Sequence, residues 1–468
     1  MANYYAVCVK PSCLWTEETL IDKRIDAHFY SIKYMQYYNK LMKCKIKKMS
    51  LYNICSRMNS GPFGSALLAS QYVDKGVAFI RPLNCKDYIV DIDNDVVFIS
   101  KEDSERLKSS KFSSGDLIFT KIGNGIGDVA IIPQKIFECN ISGNLMGVKV
   151  KNNIDNYYVL TFLKSIYGQN QIWQGMMNSA KPKIDMDTLK SIVIPIPSPE
   201  IQKYIGDKVR KAEELREEAK RLKKEAEEIL NKELNLKDVE FYIKQTNNKK
   251  YSWTESIEIE DRIDSEFYKP KYRYLSKLNN MSELSYYYKI SKKRINKNID
   301  RKIKYIDLSS VNNIIEPSDF NTKELPSRAQ FLVKEGNLII STLKGSNKIS
   351  IIPEHLNDSV CSTGFIVIAS KSHLTTEYLY LVFSNKVFNM QIERYSTGSI
   401  MSGVNHDNFN KMLIPVISNK QIIDTITNKI RKHFRLLYYS KQLIQEAKQD
   451  VEDLIEGNFD MSKVKANN

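Results

Sequence analysis

The heptapeptide RIDAHFY at residues 24–30 returns as RIDSEFY at residues 262–268, and around it Trp15-Thr16-Glu17 returns as Trp253-Thr254-Glu255, all displaced by 238. Further on the displacement becomes 220: Ile131-Ile132-Pro133 returns as Ile351-Ile352-Pro353 and Ile194-Pro195 as Ile414-Pro415, so the second copy has lost a net 238 − 220 = 18 residues between these anchors. Solenoid units run roughly 20 to 50 residues, so a period this long predicts a duplicated domain. Between the anchors GDLIFTKIGNG (115–125) parallels GNLIISTLKGS (336–346), each a glycine turn entering a strand. YVLTFLKSIYGQNQI from Tyr158 and YLYLVFSNKVFNMQI from Tyr378 predict matching helices, followed by the polar loops MNSAKPKID and YSTGSIMSGVN.

Each copy ends in a long, proline-free amphipathic stretch. In the first, Ala212, Ala219 and Ala226 fall seven apart, as do Leu215, Leu222, Ile229 and Leu236; in the second, Ile423, Ile430, Leu437, Ile444 and Val451 keep that spacing. This is a heptad seam, with small alanines expected to face large aliphatics across an antiparallel pair. A helix of about 37 residues spans ~55 Å. The expected domains are 1–198, a spacer helix 199–236, a second domain 237–418, a second helix 419–457 and a tail 458–468, related by a pseudo-twofold axis.

Charge locates the working surface. Formal net charge is +15. Residues 200–236 carry ten Lys/Arg against ten Asp/Glu and 419–457 carry seven against six, which leaves 15 − 0 − 1 = 14 charges for the repeated domains and their links. Two basic domains on a neutral spacer suit a split DNA site with unlike halves. A Lys-rich composition that merely reflects an AT-rich genome would give the same net charge without a polyanionic partner. No basic amphipathic helix and no run of 18 apolar residues points to a membrane, and the start lacks a signal-type segment, so the chain is expected in the cytoplasm. The seven scattered cysteines, with no C-x-x-C pair, read as reduced thiols.

Four segments carry a resemblance: SGPFGSALLASQYVDKGVAFIRPLN (60–84), LKSIVIPIPSPEIQKYI (189–205), RKIKYIDLSSVNN (301–313) and SRAQFLVKEGNLIISTLKG (327–345). In this order they resemble the specificity subunit of Type I restriction-modification systems. The resemblance implies a mixed α/β fold of two tandem target recognition domains separated by two antiparallel coiled-coil helices. It also implies a non-catalytic reader of double-stranded DNA that joins two methyltransferase subunits and two motor-nuclease subunits, with S-adenosylmethionine, ATP and Mg²⁺ on those partners and no cofactor of its own. Where family members often carry Arg and Asp, this chain has Lys344 and Asn337, and Glu200-Ile201-Gln202 departs from the usual pair of acids. The competing reading is an orphan or decoy DNA-binding protein without modification partners.

The enzyme alternatives lack their motifs. There is no polar-Pro-Pro-aromatic tetrapeptide to grip a flipped adenine, and no G-x-x-x-x-G-K-[ST]. GNGIGD (Gly123 to Asp128) lies between expected strands and reads as a hairpin turn. The five histidines, His28, His355, His373, His406 and His433, are too thinly spread for a metal site. The acids Asp22 and Asp26, echoed by Asp261 and Asp264 beside an aromatic pair, read as a docking or capping element. Candidate DNA contacts are Lys121, Asn124, Lys181, Lys183, Arg328, Lys344, Ser346 and Asn347, where Lys holds phosphates and Asn or Arg reads base edges.

Overall fold

The structure, a computed structural model, describes residues 26–468 except 63, 124, 177–181, 237–238, 248–252, 255–258, 260–261, 399–401 and 466–468. Asp22 and Asp261 lie outside the described residues. The chain divides into two units, Met1–Glu214 with Ser440–Asn468, and Leu215–Tyr439. Each unit therefore holds one repeat and a part of both long helices.

In the first unit a four-stranded antiparallel sheet runs in the order Cys55–Ser60, Leu145–Val150, Leu117–Thr120, Val129–Ile131. A second sheet runs Val97–Ile99, Val77–Ile80, Glu138–Ile141, Lys111–Ser113, its two middle strands parallel. Phe112, Cys139 and Ile141 of the second sheet share one apolar cluster with Ile118, Ala130 and Leu145 of the first. That cluster is the core of the sheet layer. Gly147 has no side chain because a Cβ there would stand 2.3 Å from the Phe112 ring.

The second unit repeats this strand for strand: Tyr288–Ile290, Phe365–Ser370, Leu338–Ser341, Ile349–Ile351 in one sheet and Ser318–Asn321, Lys302–Ile306, Val360–Ser362, Ala329–Leu332 in the other. Individual bonds repeat as well. Tyr158 and Tyr378 donate their hydroxyls to the Pro195 and Pro415 carbonyls at 2.6 and 3.0 Å. Gln171 brackets Val193 as Gln391 brackets Leu413, each amide donating to the backbone carbonyl and accepting from the backbone N–H. The Ser113 N–H donates to Asp116 at 2.9 Å and the Lys334 N–H to Asn337 at the same distance, so Asn closes that turn as well as Asp does.

RID-x-x-FY has the same task twice. Asp26 and Asp264 accept the N–H of Phe29 and Phe267 at 3.1 and 3.2 Å, closing a turn in which Phe and Tyr rings meet edge to face at 5.0 Å in both copies. Gln174 and Arg394, equivalent under the displacement of 220, then donate to the Phe29 and Phe267 carbonyls at 2.9 and 3.2 Å. The motif is a capped turn docked on a helix.

Two expectations need correction. The stretches from Tyr158 and Tyr378 are each two helices, Asn156–Lys164 with Ile166–Gly175, and Thr376–Ser384 with Lys386–Tyr395. Ser165 and Asn385 break them, because each side chain caps the following helix by accepting the N–H of Gly168 or Val387. The second concerns the helix seam.

The long helices are Pro199–Glu233 and Lys420–Glu456. Within the first unit Lys208 meets Asp450 and the Ser440 hydroxyl donates to the Ala212 carbonyl at 2.9 Å; within the second, Lys432 meets Glu218, His433 meets the Ala219 carbonyl at 2.8 Å and Lys429 meets Glu225. Rising numbers on one helix meet falling numbers on the other, so the pairing is antiparallel. Ala212, Leu215, Ala219, Leu222 and Ala226 are buried, as are Ile423, Ile430, Ile444 and Val451. Ile229 and Leu437 are half-buried, while Leu230 is fully buried. What faces Ala212 and Ala219 is polar: a methyl-sized residue leaves its carbonyl reachable, and Ser440 and His433 take it. Both are buried, and each needs that partner to offset the loss of water.

Candidate DNA-reading loops

Each repeat brings several polar loops together beyond the same edge of its first sheet. In the first unit the strands Leu117–Thr120 and Val129–Ile131 pair antiparallel, and GNGIGD lies in the loop that joins them. Gly123, Gly125 and Gly127 have φ of +107°, +103° and +86°, left-handed backbone that side chains disfavour. No helix opens after the loop, so it is a hairpin turn and not a phosphate loop.

Lys121 begins this turn. Its N–H donates to the Asn144 carbonyl at 2.9 Å, and its carbonyl accepts the Ile184 N–H at 3.1 Å. The second bond draws Lys183 beside Lys121. Burial, and then the charge of Lys183, hold the Lys121 ammonium below its usual range. Among the described residues neither lysine has an ion-pair partner. Two unpaired cations at the meeting of two loops form a place where a phosphate would be stabilised. Asn124 and Lys181 lie outside the described residues.

In the second unit Thr342 and Lys344 occupy the corresponding meeting point. The Val404 N–H donates to the Thr342 carbonyl and the Lys344 N–H to the Ser402 carbonyl, both at 3.0 Å. Lys344 and Asn347 are exposed, and Ser346 is half-buried with its N–H on the Leu343 carbonyl at 3.1 Å. Arg328 is also exposed but stands on another loop, ahead of strand Ala329–Leu332. The two loops are joined through a third: the Thr363 N–H donates to the Arg328 carbonyl at 2.9 Å and the Thr342 N–H to the Gly364 carbonyl at 3.0 Å.

That third loop escaped the sequence reading in both repeats. Ser142-Gly143-Asn144 and Ser362-Thr363-Gly364 are turn-forming triplets 220 apart, a signal that was available. The copies thus share a loop framework but not its chemistry, with Lys121 and Lys183 in one and Arg328, Lys344, Ser346 and Asn347 in the other. Among the described residues no group of His, Cys, Asp or Glu could hold a metal ion. His28 and His373 reach backbone carbonyls and His355 an aromatic ring. No described helix is long and apolar enough to cross a membrane.

A direct expectation follows for the lysines. Lys121→Ala or Lys344→Ala should weaken duplex binding uniformly across sequences and reduce the slope of log K against log salt by about 1 each, as loss of one phosphate contact does. Titration at several salt concentrations reads this, and an unchanged slope removes that lysine from the contact set.

Among solved structures, a Type I restriction-modification S subunit from M. genitalium is similar over 89% of this chain and 97% of that one, at 13% identity and a TM-score of 0.44. The HsdS subunit from Thermoanaerobacter tengcongensis is similar over 88% and 97%, at 12% identity and a TM-score of 0.30. No curated protein matches the chain. The Type I restriction modification DNA specificity domain matches residues 64–228, from the first repeat into the first long helix. That match makes 165 of the 468 residues similar to the specificity domain of this family.

Proposed function

We propose that each repeat reads one half of a bipartite, asymmetric DNA site and that the helix pair sets the spacer between the halves. The observation that supports this reading is the duplication of one strand order under two different sets of loop side chains. Identical frameworks with different contacts suit two unlike half-sites, because base edges are distinguished by the side chains that reach them. On this reading the domain limits are 1–198 and 237–418, with spacer helices at 199–236 and 419–457 and a tail at 458–468.

The chain itself carries no catalysis. The helices and adjoining surfaces recruit two methyltransferase subunits and, for restriction, two motor-nuclease subunits; these bring S-adenosylmethionine, ATP and Mg²⁺. The complex works in the cytoplasm, where the chromosome is.

The test is a map of N6-methyladenine in a host expressing the neighbouring methyltransferase, with this chain, without it, and with a shortened form. A split motif methylated only when the chain is present is the expected result. The same methylation in its absence would overturn the reading and favour a decoy. In the shortened form one heptad is removed from each helix, Ala212–Glu218 together with Phe434–Ser440. These stretches pair in the antiparallel register, whereas removing Ile423–Lys429 against Ala212–Glu218 would leave the turns between them mismatched. Each helix loses about 10 Å, and the preferred spacer should shorten. Methylation at the original spacer would show that the helices do not set it.

A further inference from the structure

The helices Asn156–Lys164 and Thr376–Ser384 each begin where a strand entrance meets a long helix of the same unit. Asp155 caps the first of them, its Oδ1 accepting the N–H groups of Tyr157 and Tyr158 at 2.9 Å. Its Oδ2 takes the Arg210 guanidinium of Pro199–Glu233 at 2.5 Å. Asp207 holds the same guanidinium at 2.7 Å, which lies over the Tyr157 ring at 4.6 Å. On the other side of the cap the Asn156 amide donates to the Gly115 carbonyl at 2.7 Å. Gly115 lies in the turn that enters strand Leu117–Thr120, and Lys121 follows that strand. Gly206 shows how close the two parts come: a Cβ there would collide with the Asp155 carboxylate, and glycine within a helix is otherwise unfavourable.

The second unit makes the same junction with other side chains. In the long helices KVRK (208–211) returns as KIRK (429–432), displaced by 221, which sets Arg431 on Arg210 and Thr427 on Gly206; the displacement of 220 sets Thr375 on the capping Asp155. Thr375 accepts the Tyr378 N–H, and its hydroxyl meets that of Thr427 at 2.7 Å. Arg431 donates twice to Glu377, at 3.1 and 2.8 Å. Thr376 donates to the Gly336 carbonyl at 2.8 Å, at the entrance to Leu338–Ser341. The substitutions are in step. Where the cap is a carboxylate the long helix has glycine; where the cap is threonine the helix has threonine, and the acid that holds the arginine stands two residues further on. The two copies keep the connection and not the residues that make it.

We propose that these junctions are braces that hold the first sheet of each repeat at one angle to its own long helix, with Arg210 and Arg431 as positioning residues for half-site reading. Each brace grips the first turn of a short helix on two sides, by a charge-assisted bond to the long helix and by a bond to the strand entrance. Rocking the sheet would strain both, and the charged bond is the stronger and more directional of the two. On the function proposed above, a half-site is read only at a spacing its sheet can reach, so angular play would appear as tolerance of a wrong spacer. That consequence rests on the proposed function, whereas the brace itself does not.

Asp155→Asn separates the two tasks of this residue, since an amide oxygen still caps the helix but its N–H groups repel Arg210. Glu377→Gln breaks the second brace and leaves the Thr375 cap untouched. In the full chain, spin labels on p-acetylphenylalanine at Glu102 and Glu214, both in the first unit, report the angle by double electron–electron resonance. The expected result is a single narrow distance distribution that broadens in Asp155→Asn. With the methyltransferase subunit added, methylation of duplexes with lengthened and shortened spacers should show the preference for the best spacer reduced about tenfold in either variant, the size of effect expected from one charge-assisted hydrogen bond. Affinity for a duplex with one half-site should not change, and Glu377→Arg combined with Arg431→Glu should restore the preference. An unchanged distance distribution, or half-site affinity falling in step with the preference, overturns the brace; a broadened distribution with the preference intact overturns its role in spacing. Equal methylation at every spacer by the unaltered chain would instead defeat the reading of the helices as a spacer, and the distance distribution would still decide the brace.

Discussion

Asp450→Ala will destabilise the first unit by about 3–5 kcal/mol, the usual cost of removing one partner from a buried ion pair. Asp450 lies on the second long helix with its side chain 3% exposed, and one oxygen stands 2.5 Å from Lys208 on the first, itself 15% exposed. The other oxygen holds Lys463 at 3.2 Å. Remove the carboxylate and Lys208 keeps Glu446 at 3.7 Å and the Tyr204 ring at 4.7 Å, so most of the cost is an under-compensated buried ammonium. Lys463, 43% exposed, escapes to water at little cost. Urea unfolding followed by far-UV circular dichroism checks this, with Asp450→Asn as the variant that keeps the shape. A loss below ~1 kcal/mol for both would mean that water already reaches the pair.

Acidification should loosen the helix pair of the second unit through His433. Burial pushes this imidazole down to about 4, although the Ala219 carbonyl beside it opposes the shift. The unfolded chain titrates near the ordinary value of ~6.5. The folded state thus binds the proton less readily than the unfolded one. The contribution of His433 is complete above about pH 6.5 and is lost progressively down to pH 4, amounting to roughly 3 kcal/mol. The groups nearest the ring are Lys223, Phe434 and the Ala219 carbonyl, of which only Lys223 is charged and it disfavours protonation further. His433→Gln, which can still donate to the carbonyl, should remove this share of the pH dependence while the carboxylate share remains. Parallel stability curves for the two proteins between pH 7 and pH 4 would refute it.

Features that depend on a side chain and its own neighbouring backbone were legible in the sequence. The doubled RID-x-x-FY is such a case, because Asp26 and Asp264 bond three residues ahead. So are the glycine turns at Asp116 and Asn337, and the long helices. The break at Ser165 was hidden because the run before it, Tyr157 to Leu163, is apolar but for Thr161 and buried on every side, which erases the period that would reveal a new cap. Heptad spacing found the aliphatic seam but missed that Ser440 belongs to it, since hydropathy gives a buried hydroxyl no weight until its carbonyl partner is known. Parallel pairing of Val77–Ile80 with Glu138–Ile141 joins strands about sixty residues apart and leaves no local trace. The candidate contact residues were selected by type and loop position. Only the backbone bonds between loops reveal that Lys121 and Lys183 stand together while Arg328 stands a loop away from Lys344.

The division of the chain also fixes an order of synthesis. The second unit is one continuous stretch, Leu215–Tyr439, whereas the first is completed by Ser440–Asn468. A ribosome has therefore made every residue of the second unit before it supplies the partners that Lys208, Tyr167 and Lys40 find at Asp450 and Glu456. The domain begun first is finished last. Until then the first-unit part of Pro199–Glu233 lacks the partners that Ser440–Asn468 supplies, and an unfinished unit with exposed apolar surface is the aggregation-prone species of multidomain folding.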